Sequence, residues 1–192
     1  MVIKMSKELS EMTLEELWEL FPISLVAHRE KWKDDYKEIE AELRDLLSGY
    51  SVSRISHIGS TAISGIRAKN IVDVLVEIPM DEDMRSVSKA IGHGGFIRMS
   101  AETKRVSFNR GYTKDGFADK VYHVHLRYIG DNDELYFRDF LNEYPEIAKE
   151  YEALKMSLWR KFEHNRDAYT DAKADFVHHF TNEARKKYGN RY

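Results

Sequence analysis

The stretch Ile71–Ile78, I-V-D-V-L-V-E-I, constrains this chain more than any other. β-branched residues and Leu fill it almost end to end, and Pro79 closes it. A run of that kind reads as a central strand with layers on both faces. It also holds an acid, Asp73, set among Ile71, Val72, Val74, Leu75 and Val76. A carboxylate there is costly to bury unless it binds a cation or is hydrogen-bonded. Thirteen positions earlier, Gly59 and Ser60 form a tight turn after an alternating, half-buried strand, Val52–Ile58. Such a turn offers backbone N–H groups and a hydroxyl to phosphate. Phosphate cradle plus strand acid suits a metal-dependent nucleotidyl or phosphoryl transferase. Two plainer readings stand beside it: a strand-to-helix turn with Ser60 or Thr61 as N-cap, and an Asp73 paired with a base such as Arg54 on the neighbouring strand.

The pattern around this centre is mixed. Residues 1–12 read as a loose leader. Thr13 and Glu16 make a capping box for a short helix. Ile23–Ala27 reads as a short strand, and Glu30–Leu47 has apolar residues at helical spacing, ending before Gly49. A helix is expected over Asp81–Gly92, then strands over Phe96–Met99, Lys104–Asn109 and Lys120–Tyr128. From Asp133 the period turns helical: one helix opens there, Pro145 suits the first position of the next, and a last one spans Asp167–Lys187. The expected fold is α+β, a mixed sheet of about five strands flanked by helices. A helical segment over 133–192 packs on that sheet within one domain, 1–192.

Composition narrows the chemistry. There is no cysteine, which excludes disulfides, zinc fingers and thiol nucleophiles. Lys plus Arg is 30 against 33 Asp plus Glu, so no basic excess argues for nucleic acid. No apolar run approaches the ~20 residues of a membrane span, and the N-terminus has no signal-peptide core. A soluble, cytoplasmic protein is expected.

If Asp73 holds Mg²⁺ or Mn²⁺, the strand lacks the usual second acid. Residues 73, 75 and 77 share a face, but 75 is Leu, and Glu77 lies about 13 Å away. His123 and His125, two apart on a predicted strand, point the same way. With Asp73 they would make a two-His, one-carboxylate site, which suits a transition metal better than magnesium. One of them could instead be a general acid/base or phosphate contact, or a hydrogen-bonded core histidine; His57 has the same readings. His178 and His179 read as surface or packing residues. Arg67, Lys69, Lys104 and Arg105 could line a polyanion pocket or be solvated loop charges. Arg166, Tyr169 and Lys173 share one helical face, which could close over a ligand on the sheet or pack against acids such as Asp139.

His57, Gly59, Ser60, Thr61, Ala62, Gly65, Ala68, Lys69 and Asp73 together resemble the signature of the GrpB family, a group with a nucleotidyltransferase-like fold. FPISLVAHREKW (Phe21–Trp32) resembles its opening strand and turn, and YHVHL (Tyr122–Leu126) its paired-histidine strand. Phe137–Lys155 and Arg166–Lys173 resemble its helical tail. The resemblance implies a transferase of nucleotidyl groups from a nucleoside triphosphate, or another phosphorylated small molecule, to an unnamed acceptor. Asp73, Ser60 and His125 would be catalytic, and Asp73, His123 and His125 would hold a divalent cation. Gly59, Ser60, Thr61, Lys69, Arg138, Lys155, Arg166, Tyr169 and Lys173 would bind the phosphates. An accessory binding module without catalysis, for which Leu75 argues, and a His/Asp metal-dependent hydrolase are the alternatives.

Overall fold

Alternation along β2 (Val72–Ile78) decides the architecture. Val72, Val74, Val76 and Ile78 are buried on one face. They pack with Trp32, Ile39 and Leu43 of α2 (Lys31–Leu46) and Val87 and Ile91 of α3 (Met84–His93). Each aliphatic side chain buried there stabilises the fold by roughly 1.5–3 kcal/mol. Asp73, Leu75 and Glu77 take the opposite face. The computed structural model describes residues 7–192.

Five strands form one sheet in the order β1-β2-β5-β4-β3, with β1 (Arg54–Ile58), β3 (Ile97–Ala101), β4 (Arg105–Thr113) and β5 (Gly116–Tyr128). β2 and β5 run parallel, and every other pair is antiparallel. On the second face Leu75 meets Ile58 and Leu135. Leu135 belongs to α4 (Asp133–Glu143), which joins α5 (Pro145–Phe162) and α7 (Ala174–Tyr188) in an apolar cluster built on Tyr136, Phe140 and Tyr151. The expected α+β fold, a five-stranded mixed sheet with a helical C-terminal segment, is what forms.

Most element boundaries fall close to those read from the sequence, and Thr13 and Glu16 make the reciprocal cap on α1 (Leu14–Leu20). Two expected elements differ. Ile23–Ala27 is not a strand: it makes a single bridge, Val26 with Ala68, because no continuous edge lies beside it. The last helix is two, α6 (Arg166–Asp171) and α7, joined through Ala172 and Lys173. Of the loose leader, residues 1–6 lie outside the described residues, and Leu9–Glu11 is a short 3-10 turn. Arg54 does not pair with Asp73. It lies opposite Glu77 in register and 3.3 Å from its carboxylate. Asn132, at the start of α4, donates to the other Glu77 oxygen at 2.9 Å. Among the described residues no helix is long and apolar enough to cross a membrane.

Candidate functional site

Strand register brings three of the candidate residues together. Parallel pairing sets Asp73 beside His123 and Leu75 beside His125. Both imidazoles therefore share the Asp73 face. His123 Nδ1 lies 3.1 Å and His125 Nε2 3.5 Å from Asp73 Oδ1. Ligand atoms from all three fall within 4.8 Å of one another. That nitrogen–oxygen set fits a divalent cation, and its two imidazoles favour a transition metal over Mg²⁺. Glu77 is absent from the group because Arg54 and Asn132 hold it.

Gly59 seals the other side of Asp73. Its backbone sits at φ 71°, ψ −174°, a region essentially confined to glycine. A Cβ there would lie 2.4 Å from Asp73 Oδ2. The Gly-Ser turn is thus a close approach of backbone to carboxylate. Ser60 opens the 3-10 turn Ser60–Ala62 beside it. Thr61 is inward: its hydroxyl donates to the Ile71 carbonyl at 3.1 Å and accepts from His57 Nε2 at 2.9 Å. His57 lies on the α2 face, stacked on Tyr36, away from Asp73's face. Burial lowers its pKa to about 4.

Two groups act on His123: Arg166, a candidate for the phosphates, and Tyr112, which no sequence pattern singles out. Arg166 Nη2 donates to the Tyr112 hydroxyl at 2.9 Å and stands 3.3 Å from His123 Nε2. Tyr112 Oη is 2.8 Å from the same Nε2. Guanidinium can only donate, so Tyr112 accepts from Arg166 and donates to Nε2. The proton of neutral His123 then lies on Nδ1, facing Asp73. Burial lowers the His123 pKa against the pull of Asp73, which keeps the ring neutral near pH 7. Burial also opposes ionisation of Asp73, but hydrogen bonds from the two histidines outweigh it and hold the carboxyl well below the usual range. Tyr112 was invisible because its place depends on the irregular β4–β5 register near Arg110.

The tail roofs this group to leave a cleft of about 530 Å³. Gly59, Ser60, Thr61, Lys69, Asp73, His123, Arg138, Arg166 and Lys173 all line it, with Arg105, Tyr151 and His178. The Tyr169 ring is 1% exposed and carries Lys173 Nζ 4.4 Å and Lys69 Nζ 5.9 Å from its centre. Burial, then neighbouring positive charge, lowers Lys69 to about 7 and Lys173 to about 8. Other candidate cations are committed within the fold. Arg138 donates to the His57 carbonyl at 2.8 Å and pairs with Asp139. Lys155, buried, donates to the Arg67 carbonyl at 2.5 Å and lies over Tyr151. Arg105 pairs with Asp131. Arg67 and Lys104 are exposed. Tyr151, pushed up to about 12 by burial, reaches the Ser60 side chain.

Known proteins resemble this chain in sequence and fold. The chain is 34% identical over 167 residues to the glutamate-rich protein GrpB of Alkalihalophilus pseudofirmus, covering 84% of this chain and 95% of that one. It is 29% identical over 167 residues to the YqkA protein of Bacillus subtilis, covering 84% of this chain and 48% of that longer relative. The crystal structure of GrpB from Enterococcus faecalis superposes with a TM-score of 0.73 at 25% identity, over 86% of this chain and 99% of that one. The profile of the GrpB protein family matches residues 22–183, and the chain belongs to that family.

Proposed function

We propose that the cleft binds a nucleoside triphosphate with a divalent cation and transfers its nucleotidyl group to a small-molecule or protein acceptor. The observation that carries this reading is the placement of the Asp73 carboxylate against the Gly59 backbone, facing a cleft walled by Lys69, Arg166 and Lys173. Asp73, His123 and His125 would hold the ion. Once bound, it would neutralise phosphate charge and polarise the reacting phosphoryl group. The chain's own residues would do the rest. Ser60 and the Gly59 backbone would meet phosphate oxygens beside Asp73. Arg166 and Lys173 would balance the charge from the tail, and Lys69 from the sheet side. Tyr112 would keep His123 oriented towards Asp73.

Calorimetry of ATP, GTP, CTP and UTP, each with Mg²⁺, with Mn²⁺ and without metal, tests this on wild type and Asp73→Ala. Metal-dependent binding of at least one nucleotide, weakened more than about tenfold in Asp73→Ala, is expected. Binding that ignores both metal and Asp73 would remove the transferase reading. One observation favours a second reading, a phosphate-binding module without catalysis: Leu75 fills the place of a second strand acid and is packed between Ile58 and Leu135. That module would bind nucleotide yet release no pyrophosphate with any acceptor.

A further inference from the structure

The cleft does not end at Lys69. Lys69 and Ile71 line it and also line a second cavity of about 220 Å³. Its position follows from register. Ile71 lies two residues before Asp73 and Val121 two before His123, while Asp73 and His123 are neighbours across the parallel pair. The cavity therefore occupies the same sheet face one pleat repeat away, about 7 Å along the strands. Its character differs from that of the cleft. Val26, Val121 and Phe117 form apolar walls. Phe117 is 42% exposed and braced by a tilted Phe21 ring and by Tyr112 edge-on, so its ring is held in place with a free side.

Two polar groups converge on these walls, Ser24 and Asn70. The Trp32 indole N–H, which can only donate, sits 2.8 Å from Asn70 Oδ1. That bond fixes the amide orientation and leaves the Asn70 NH₂ as the end free to donate elsewhere. An apolar slot with an aromatic wall and donors fits a planar heterocycle bearing acceptor atoms better than an alkyl chain, which would strand the amide and hydroxyl.

We infer that this cavity is a base-binding subsite and that the ligand is a nucleoside polyphosphate lying across Lys69. Its base stacks beside Phe117 within reach of Asn70, the ribose spans the pleat repeat, and the phosphates lie beside Asp73 and Gly59. The assignment rests on the reading of the cleft as a phosphate site, and the test separates the two. Inorganic tripolyphosphate and the four nucleoside triphosphates are titrated with Mn²⁺ into wild type, Ser24→Trp, Phe117→Ala and Asp73→Ala. Ser24 is exposed, so a Trp there plugs the slot from its rim without entering the core; equal melting temperatures confirm that the variants are folded.

Wild type should bind at least one nucleotide about tenfold or more tighter than tripolyphosphate, the scale of one base–aromatic stack. Ser24→Trp should erase that margin and Phe117→Ala reduce it, with tripolyphosphate affinity unchanged within about twofold in both. Equal affinity for nucleotides and tripolyphosphate in wild type, or a margin that survives the plug, overturns the base subsite while leaving the phosphate site standing. Polyanion binding that is absent, or indifferent to Asp73→Ala, overturns both.

Discussion

Asp73 is placed by what surrounds it, and its neighbours make sharper tests than the acid itself. Gly59→Ala would put a methyl group 2.4 Å from Asp73 Oδ2 and force a non-glycine residue into the backbone conformation at φ 71°. We expect a stability loss of about 1–3 kcal/mol and, in the protein that remains folded, Mn²⁺ affinity lower by more than about tenfold. Wild-type affinity in this variant, read by calorimetry, would mean that the close approach has no role in the site. Tyr112→Phe tests the other side. A cation at Asp73 would need the Nδ1 lone pair of His123, and the ring proton would move to Nε2, where the Tyr112 oxygen accepts it. Removing that oxygen should weaken Mn²⁺ about tenfold without lowering the melting temperature by more than a few degrees. An unchanged Mn²⁺ affinity would exclude Tyr112 as the orienting partner. The Asp73–His123–His125 group was legible in part: alternation puts both histidines on one face of their strand, and the parallel β2–β5 register sets that face beside Asp73. Tyr112 and Arg166 converge only through β4–β5 register and the fold of the tail; Arg166 was marked by its helical face, but Tyr112 leaves no local pattern.

At the scale of elements, the join between sheet and tail is held by a buried acid. Glu77 is 1% exposed, faces Arg54 at 3.3 Å and accepts from Asn132 at the start of α4 at 2.9 Å. Breaking such a pair leaves a base and an amide without their acceptor. Arg54 keeps 35% of its side chain in water, which softens the cost. Glu77→Ala should therefore destabilise the protein by about 2–3 kcal/mol, a fall of roughly 4–12 °C in melting temperature for a chain of this length. Mn²⁺ affinity should hold, since Glu77 is no ligand; a parallel loss of Mn²⁺ binding would give it a direct part in the site. Elements were legible wherever one period dominates. β2 is a nearly continuous apolar run and α2 repeats its apolar face along its length, and both were found. Ile23–Ala27 has the residues of a strand without a partner edge, and pairing cannot be read from composition. The break between α6 and α7 falls on Ala172 and Lys173, with no Gly or Pro to announce it. That break sets Lys173 over Tyr169, so the missed boundary is the one that shapes the cleft.

The molecule as a whole gathers lysines where burial disfavours their charge. Lys69 falls to about 7, Lys155 to about 7 and Lys173 to about 8, each from an ordinary 10.5, with burial the main cause and neighbouring cations adding to it. Asp73 pulls Lys69 and Lys173 the other way without reversing the shift. The sign of the consequence is fixed. Between the folded and unfolded pKa values the unfolded chain binds more protons, so stability rises with pH across that window. Below about 7 these lysines are charged in both states and the fold bears their desolvation in full. The melting temperature of the unliganded protein should rise from pH 6.5 to 9. A polyanion in the cleft reverses the local balance, because its charge favours the protonated lysines. Binding of tripolyphosphate at pH 8 should then take up on the order of one proton, shared by Lys69 and Lys173. Lys155 should contribute little, since its amine is turned to the Arg67 carbonyl. Calorimetry in two buffers of different ionisation enthalpy measures that uptake directly. Lys173→Met should reduce it, and affinity in wild type should fall as pH rises from 7 to 9. If the heat is the same in both buffers while tripolyphosphate still binds, these lysines do not change protonation on binding, and the proposed uptake is overturned.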